Sequence, residues 1–145
     1  MTAEDFPHDA VRRWIDRWAR GWATHDVELI DSLYTDDAVH FSAPFREPQR
    51  PSDYAAWAFS DEESAEVWFA EPIVQGDEAA VAWWAISHGT DGRDTTLAGV
   101  SMISFGSDGL VVDQRDYWNE AENAAIAPPD GWGPVAVHEH STDAG

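Results

Sequence analysis

The stretch that decides the fold is Asp108-Gly109-Leu110-Val111-Val112-Asp113-Gln114-Arg115-Asp116-Tyr117-Trp118. It opens with Asp-Gly, a strong hairpin-turn signal, and continues through β-favouring aliphatic residues before four polar residues and two aromatic ones. Alternate side chains of a strand share a face. One face therefore carries Leu110, Val112, Gln114, Asp116 and Trp118, and the other carries Val111, Asp113, Arg115 and Tyr117. Whichever face turns inward brings a carboxylate among aromatic rings.

An acid in such a setting resists ionisation and can exchange protons at neutral pH. Asp113 and Asp116 are the two candidates. Asp113 shares its face with Arg115, which favours a solvated ion pair of little energetic value. Asp116 shares its face with Trp118, so we expect Asp116 to be the acid that faces a pocket.

Composition limits the classes of partner. The chain has 145 residues, about one domain, and its net charge of -20 comes from 28 acidic residues against 8 basic ones, all of them arginine. Such a surface is a poor partner for nucleic acid or an anionic membrane, because phosphate binding needs the opposite field. No cysteine is present, which excludes disulfides and thiolate chemistry. An acidic start and no long apolar run lead us to expect a cytoplasmic protein.

The first third of the sequence predicts three helices. Pro7 to Ala23 has apolar residues at helical spacing. Asp26 is the predicted N-cap of a second helix, Val27 to Tyr34, and Ser52 caps a third that runs to Phe59. A strand from Ala38 to Ser42 lies between the second and third helices. The apolar stripe of the first helix comprises Val11, Trp14, Ile15, Trp18 and Trp22.

The second half changes to the period of strands. Predicted strands span Glu66 to Val74, Ala79 to His88, Thr95 to Phe105 and Leu110 to Trp118, joined by Gly-containing turns. Trp83 and Trp84 are adjacent in the second of these strands, which predicts that both of its faces are covered. A homodimer is expected to supply that cover.

The C-terminal residues predict little order. We expect a single domain over residues 1–120 and a loosely held tail over 121–145, where Ala, Pro, Asp and His dominate. His138-Glu139-His140 has chelating spacing, but a metal site needs at least three ligands held in geometry. We therefore expect no metal site there.

Three helices followed by a long antiparallel sheet, with the closing Arg115-Asp116-Tyr117-Trp118-Asn119, resemble the nuclear transport factor 2-like superfamily and within it the SnoaL-like branch. That branch includes polyketide cyclases, limonene-epoxide hydrolases and ketosteroid isomerases. The likeness covers residues 8–120 and includes His25 to Ala38, His40 to Pro44, and Gly76-Asp77. It implies an α+β fold of the cystatin-like barrel type, in which a cone-shaped, strongly curved mixed sheet wraps around three N-terminal helices and leaves an apolar pocket at its open end.

The resemblance also implies site residues. Epoxide hydrolases of this group carry Tyr-x-Asn-x-Pro where this chain has His40-Phe41-Ser42-Ala43-Pro44, and their water-activating aspartate matches Asp116. His40 and Ser42 could hold a water, since both donate and accept hydrogen bonds. The relatives also place an Arg and a second Asp on the penultimate strand, where this chain has Thr95 to Val100 without a charge. Limonene-type hydrolysis is therefore not expected.

The leading hypothesis is an enzyme without metal or organic cofactor that acts on a small hydrophobic, cyclic metabolite. Asp116 would be the general acid or base and His40 its proton partner. Substrate would contact Ser42 and walls formed by Trp18, Trp57, Met102 and Trp118, with His88 as an alternative proton partner. Two other hypotheses stay open: a non-catalytic module that binds an apolar ligand, and a dimeric scaffold.

Overall fold

The computed structural model describes residues 5–132 and 135–137, with side chains described from residue 7 to residue 132. Three helices come early in the chain: α1 (Asp5–Thr24), α2 (Val27–Asp31) and α3 (Pro51–Phe59). The strands are β1 (Tyr34–Phe41), β2 (Glu62–Phe69), β3 (Ile73–Gln75), β4 (Glu78–Gly89), β5 (Asp94–Phe105), β6 (Val111–Glu122) and β7 (Val135–Val137).

The seven strands form one mixed sheet in the order β1-β6-β5-β4-β2-β7, and β3 pairs with one end of β4. All neighbours are antiparallel except β1, which runs parallel to β6. The predicted α+β class, with a mixed sheet wrapped around three N-terminal helices, is confirmed. The sheet is open rather than a closed barrel, because β1 and β7 form its two edges.

Helix α1 fills the concave side of the sheet with the predicted apolar stripe. Val11, Trp14, Ile15 and Trp18 are buried, and Trp22 packs against the same core. Their spacing puts them on one face of the helix, where Trp14 meets Phe69 of β2 edge-on at 5.7 Å between ring centroids. The arginines and acidic residues of α1 lie on the opposite face, toward solvent.

Several element boundaries differ from the sequence prediction: β1 begins at Tyr34, β2 begins at Glu62, and β6 continues to Glu122. Helix α2 stops at Asp31 with Ser32 as its C-cap, so the chain is already extended at Tyr34. Both Leu33 and Tyr34 are buried in the core, and Val111 donates a backbone hydrogen bond to the Leu33 carbonyl. Further along, Pro72 divides the predicted strand from Glu66 to Val74 into β2 and β3, because proline cannot donate to the ladder of a central strand.

A β-bulge changes which residues of β6 face inward. The register between β5 and β6 shifts where Ser104 pairs with Asp113 and Phe105 pairs with Val111, which leaves Val112 as the extra residue. Val111 is consequently buried and Val112 exposed, the reverse of strict alternation with Asp116. Beyond the bulge the prediction holds, since Gln114 and Asp116 are buried while Arg115 and Tyr117 face solvent.

Residues 124–132 contact β4 and β5. The Trp84 indole on the outer face of β4 donates to the Ile126 carbonyl at 2.8 Å and meets Trp132 edge-on at 5.9 Å. Thr96 bonds the same segment through both Ala124 and Ile126. The chain's own C-terminal segment thus covers Trp84, and the strand's two-sided apolar pattern does not by itself require a second subunit.

Gly99 of β5 lies directly against the backbone of β6. It pairs with Trp118 of β6, and a Cβ at position 99 would lie 2.3 Å from the Tyr117 carbonyl oxygen and 2.5 Å from the Trp118 Cβ. No side chain fits there without moving backbone.

We expect Gly99→Ala to lower the free energy of unfolding by about 1–3 kcal/mol, because the added methyl displaces the strand that carries Trp118. Urea denaturation measures the change. Gly106→Ala is the control, since its Cβ would lie no closer than 3.3 Å to any atom, with the movable Asp108 carboxylate nearest and Val112 Cγ1 at 3.4 Å. Equal losses for the two variants would contradict the close contact inferred at Gly99.

Candidate functional site

A cavity of about 480 Å³ lies between the helices and the concave face of the sheet. Nine of its lining residues are aromatic, and two nearly buried carboxylates, Asp116 and Glu62, reach it from different strands. The aromatic residues that line it are Trp14, Trp18, Trp22, Tyr54, Trp57, Phe59, Phe69, Trp83 and Trp118. Aromatic surfaces combined with convergent polar groups are typical of a small-molecule site.

Asp116 accepts three hydrogen bonds from protein groups. Its Oδ1 accepts from the Ser101 hydroxyl at 2.7 Å and from the Gln114 amide at 3.0 Å. Its Oδ2 lies 2.7 Å from Nε2 of His40. Ser101 reaches the carboxylate because it is the residue directly opposite Asp116 in the β5–β6 ladder.

Indole groups fix the direction of these hydrogen bonds. Trp83 donates to the Ser101 hydroxyl at 3.0 Å, and Trp14 donates to the Gln114 carbonyl oxygen at 2.9 Å. An indole N–H can only donate. The Ser101 proton and the Gln114 NH₂ group must therefore point toward Asp116, and the donor set matches the carboxylate form of that side chain.

Tyr34 adds a second donor to the same amide. Its hydroxyl accepts from the Trp18 indole at 2.9 Å and donates to the Gln114 carbonyl oxygen. Burial raises the pKa of Tyr34 well above its ordinary value, and the negative charge of Asp116 raises it further against the hydrogen bond from Trp18. Tyr34 thus remains a donor, and Gln114 is held in one orientation from both sides.

His40 lies behind Asp116 rather than on the cavity wall. Its side chain is fully buried, Nε2 faces Asp116, and Nδ1 has no hydrogen-bond partner among the described residues. A bare lone pair on Nδ1 costs less than a buried unpaired N–H, which indicates the tautomer that carries its proton on Nε2. The Tyr54 ring packs edge-on against the imidazole at 4.8 Å.

Ser42 also lies behind the wall and holds two cavity residues in place. Its carbonyl accepts the Trp118 indole N–H at 2.6 Å, and its hydroxyl accepts from Nη1 of Arg46 at 3.2 Å. The Arg46 guanidinium is 5.2 Å from the ring centroid of Trp57 and 5.3 Å from that of Trp118. A cation is therefore stacked between two indoles at the edge of the cavity.

Glu62 is the second carboxylate, at the start of β2. Its side chain is only 7% exposed and accepts from the Trp22 indole at 3.0 Å, from Ser87 at 2.5 Å and from Nε2 of His25 at 2.9 Å. Ser87 is on β4, two residues before the end of that strand. The carboxylate is thus fixed by donors from α1, from the turn that follows α1 and from β4.

The structure brings some predicted site residues together and separates others. Trp18, Trp57 and Trp118 line the cavity with Asp116, as expected from the sequence. Met102 does not: it is 46% exposed on the outer face, because its neighbour Ser101 takes the inward position in β5.

His88 is also outside the cavity, contrary to the expectation that it could be a proton partner. Ser87 takes the inward position on β4, which turns His88 outward between the neighbouring strands. Its Nδ1 lies 2.7 Å from Asp94 and its Nε2 lies 3.2 Å from Glu66. The hydrogen bond to Asp94 raises the pKa of His88, the one to Glu66 adds to the rise, and partial burial opposes them.

Sequence reasoning did not select Gln114, Ser101, Tyr34 or Glu62 as site residues. Gln114 could have been found, since it is two residues before Asp116 on the same strand face. Ser101 requires the register between two strands, which no single segment contains. Glu62 precedes the predicted strand, which began at Glu66.

In the part of the chain that the structure describes, no group of three His, Asp or Glu side chains is arranged to hold a metal ion. None of the helices in this part is long and apolar enough to cross a membrane. His138-Glu139-His140 lies outside the described residues.

We expect Gln114→Leu to lower the free energy of unfolding by about 2–4 kcal/mol, because it leaves the Trp14 N–H and the Tyr34 hydroxyl buried without an acceptor. Urea denaturation followed by tryptophan fluorescence measures the loss. Asn119→Ala, at an exposed position of the same strand, should change stability little. If both variants lose the same amount, the amide is not the centre of the network.

The raised pKa of His88 makes a pH-dependent contribution to stability. Protonated His88 is favoured by folding, so its contribution is full below the ordinary histidine pKa and is lost as pH rises through the folded-state pKa. We expect His88→Gln to be more destabilising at pH 5 than at pH 9. Thermal unfolding across this range measures the difference, and Asp94→Asn should show the same trend. A constant difference would contradict the ion pairs.

Comparisons with known proteins agree with this geometry. The sequence profile of the SnoaL-like domain matches residues 11–114. Among curated proteins, no sequence matches significantly. Solved structures that resemble the chain include SalBIII, an epoxide hydrolase/cyclase-like enzyme in pyran ring formation in the polyether salinomycin, with 15% identity, a TM-score of 0.68, and coverage of 82% of this chain and 95% of SalBIII.

Two more structures show the same fold. The Δ5-3-ketosteroid isomerase from Mycobacterium sp. is 20% identical with a TM-score of 0.65, over 78% of this chain and 98% of the isomerase. A type 2 hexachlorocyclohexane dehydrochlorinase (LinA) is 12% identical with a TM-score of 0.61, over 85% of this chain and 94% of LinA. The profile match over most of the chain, on a fold that keeps an aromatic cavity, shows that this protein belongs to the SnoaL-like domain family.

Proposed function

We propose that the protein is a cofactor-independent enzyme that moves a proton on a small hydrophobic, cyclic molecule, with Asp116 as the general base. The observation that carries the proposal is a nearly buried carboxylate that faces an aromatic cavity while every protein group bonded to it is a donor. Such a group can take a proton without losing its position.

The hydrogen bonds to Asp116 leave room for a substrate. An ionised carboxylate has about four lone-pair sites. Ser101 and Gln114 use two on Oδ1, and His40 uses one on Oδ2. The remaining site on Oδ2 is available to a proton taken from a ligand in the cavity. His40 donates to the same oxygen and is assigned a positioning role.

The walls favour an apolar molecule of modest size. A volume of about 480 Å³ lies within the range of typical ligand pockets and suits one or two fused rings. Indoles at Trp14, Trp18 and Trp83 offer flat surfaces on which a ring can stack.

Tyr54 is proposed as the hydrogen-bond donor for the substrate. It lines the cavity, and none of the described residues accepts a hydrogen bond from its hydroxyl. Burial raises the pKa of Tyr54 well above its ordinary value and the charge of Asp116 adds to this, with Arg46 acting in the opposite direction. The phenol thus keeps its proton for an oxygen atom on which charge develops.

Isomerisation or cyclisation fits this set of residues better than epoxide opening. The inward positions of β5 near Asp116 carry Leu97, Gly99 and Ser101, none of which has a charge. An acid and an arginine on that strand, as in limonene-epoxide hydrolases, have no counterpart here. The names of the structural neighbours include an epoxide hydrolase/cyclase-like enzyme and an isomerase, which supports small-molecule chemistry of this kind without separating epoxide opening from the other reactions.

The homodimer and the cytoplasmic location remain predictions. The outer face of β5 and β6 exposes Met102, Val112 and Tyr117, each at least 39% accessible, next to the acidic and basic residues of β6. We propose this face as the dimer contact. Sedimentation at micromolar concentration tests it, and a monomer would contradict it.

The base assigned to Asp116 can be tested without the natural substrate. In D₂O with a panel of cyclic ketones, we expect the protein to catalyse deuterium incorporation at the carbon next to the carbonyl, measured by mass spectrometry. Asp116→Asn should reduce the rate by about 10²–10⁴-fold. Asp113→Asn, on the exposed side of the same strand and paired with Arg115, should leave the rate unchanged.

A non-catalytic pocket gives a different result in the same experiment. In that case ligands bind, as seen by native mass spectrometry, and no ketone exchanges faster than in buffer. Equal rates for the Asp116→Asn variant and the unsubstituted protein would also reject the proposed base.

A further inference from the structure

The cavity has a strong excess of negative charge. Six carboxylates line it against two arginines, and the chain contains no lysine. The acidic lining residues are Asp61, Glu62, Asp91, Asp116, Glu120 and Glu122. With a net charge of -20 on the whole chain, the field in the cavity disfavours anionic ligands and concentrates cationic ones.

Both lining arginines already have partners. Nε of Arg93 lies 3.9 Å from the Asp91 carboxylate at the rim. Arg46 is stacked between Trp57 and Trp118 and donates to Ser42. The Arg93 side chain is 73% exposed and its contact with Asp91 is weak, but two arginines do not compensate six carboxylates.

Glu62 and Asp116 reach the same cavity at different points. Ser101 bonds Asp116, whereas Ser87, which bonds Glu62, is opposite Thr95 in the ladder. The Trp83 indole that bonds Ser101 and the Trp22 indole that bonds Glu62 meet at 6.0 Å between ring centroids. The two carboxylates therefore occupy separate but adjoining parts of one cavity.

Aromatic rings surround Glu62. Trp22 donates to Glu62 and meets Trp83 edge-on at 6.0 Å, and Phe59 lines the cavity beside them. His25 holds the carboxylate from outside the lining and stacks on Phe59 at 4.7 Å. A desolvated carboxylate among aromatic faces is the environment that binds organic ammonium groups.

Arg46 gives an internal example of such binding. Its guanidinium sits between two indole rings of this same cavity at 5.2 and 5.3 Å. The aromatic wall thus holds an organic cation in the folded protein itself.

We propose that the cavity is selective for an apolar molecule with a positively charged nitrogen, and that Glu62 binds this nitrogen. The selection of ligands by charge is inferred from the residues that line the cavity and does not depend on the proposed function. The statement that the other end of the ligand reaches Asp116 rests on the proposed function. Glu62 would set which molecules enter, and Asp116 would act on the end that lies beside it.

Three probes of the same shape separate charge from hydrophobicity. Phenyltrimethylammonium is the cation, tert-butylbenzene is its uncharged isostere, and benzenesulfonate is an anion of similar size. Binding to the full chain is measured by quenching of tryptophan fluorescence and by calorimetry at pH 8 and low salt. We expect the cation to bind about tenfold more tightly than the isostere, and the anion not to bind at millimolar concentration.

The Glu62→Gln substitution tests whether Glu62 binds the charged nitrogen. It should bring the affinity for the cation to within about twofold of that for the isostere, with the affinity for the isostere unchanged. Glu63→Gln is the matched control, because it removes the same charge from an exposed position one residue away. Equal effects of the two substitutions would assign the preference to net charge alone and overturn the role of Glu62.

Other outcomes also decide the proposal. If tert-butylbenzene or benzenesulfonate binds as tightly as the cation, or if the cation does not bind at millimolar concentration, the inference is wrong. Asp116→Asn separates this inference from the proposed enzyme. If the unsubstituted protein exchanges no ketone and the Asp116→Asn variant still prefers the cation, the catalytic proposal is wrong and the selection by charge holds.

Discussion

The site depends on indole N–H groups that can donate a hydrogen bond and cannot accept one. Trp83 donates a hydrogen bond to Ser101, and Trp14 donates one to Gln114. Ser101 and Gln114 must then direct their own protons at the Asp116 carboxylate. Trp18 likewise donates to the Tyr34 hydroxyl, which then donates to the Gln114 carbonyl oxygen. Because each group in the chain has a single satisfied direction, the charge on Asp116 is supported by oriented neutral donors rather than by an arginine paired with it.

This arrangement ties the core to the site. The tryptophans of α1 are at once the apolar stripe that packs the helix into the sheet and the donors that orient the polar network. Residues held by both packing and hydrogen bonds have little freedom to turn. The large number of tryptophans in a short chain thus has a structural reason, since Phe or Leu at the same positions would fill the core and leave Ser101 and Gln114 without direction.

A feature of the structure could be predicted from the sequence when the residues that form it lie close together along the chain. The helical stripe of α1 and the inward position of Asp116 depend on residues a few places apart, and both were predicted. Met102 and His88 were misplaced because a shift of one residue moves a strand's side chains to the opposite face. The partners Ser101 and Tyr34 come from other strands, and their contacts with β6 depend on register, which local periodicity does not contain. The bulge at Val112 has the same origin.

The position of His40 limits the proton chemistry that the site can support. Its ring is sealed behind Asp116, with no exposure to the cavity and no described partner at Nδ1 through which a proton could leave. A proton that Asp116 takes from a ligand therefore has no protein route to solvent through the imidazole. The proton then stays on Asp116 until it returns to the ligand, at the same atom or a different one, or passes to solvent through the cavity itself. A reaction that gives back the proton it removes, as isomerisations and ring closures do, needs neither the imidazole nor a solvent exit.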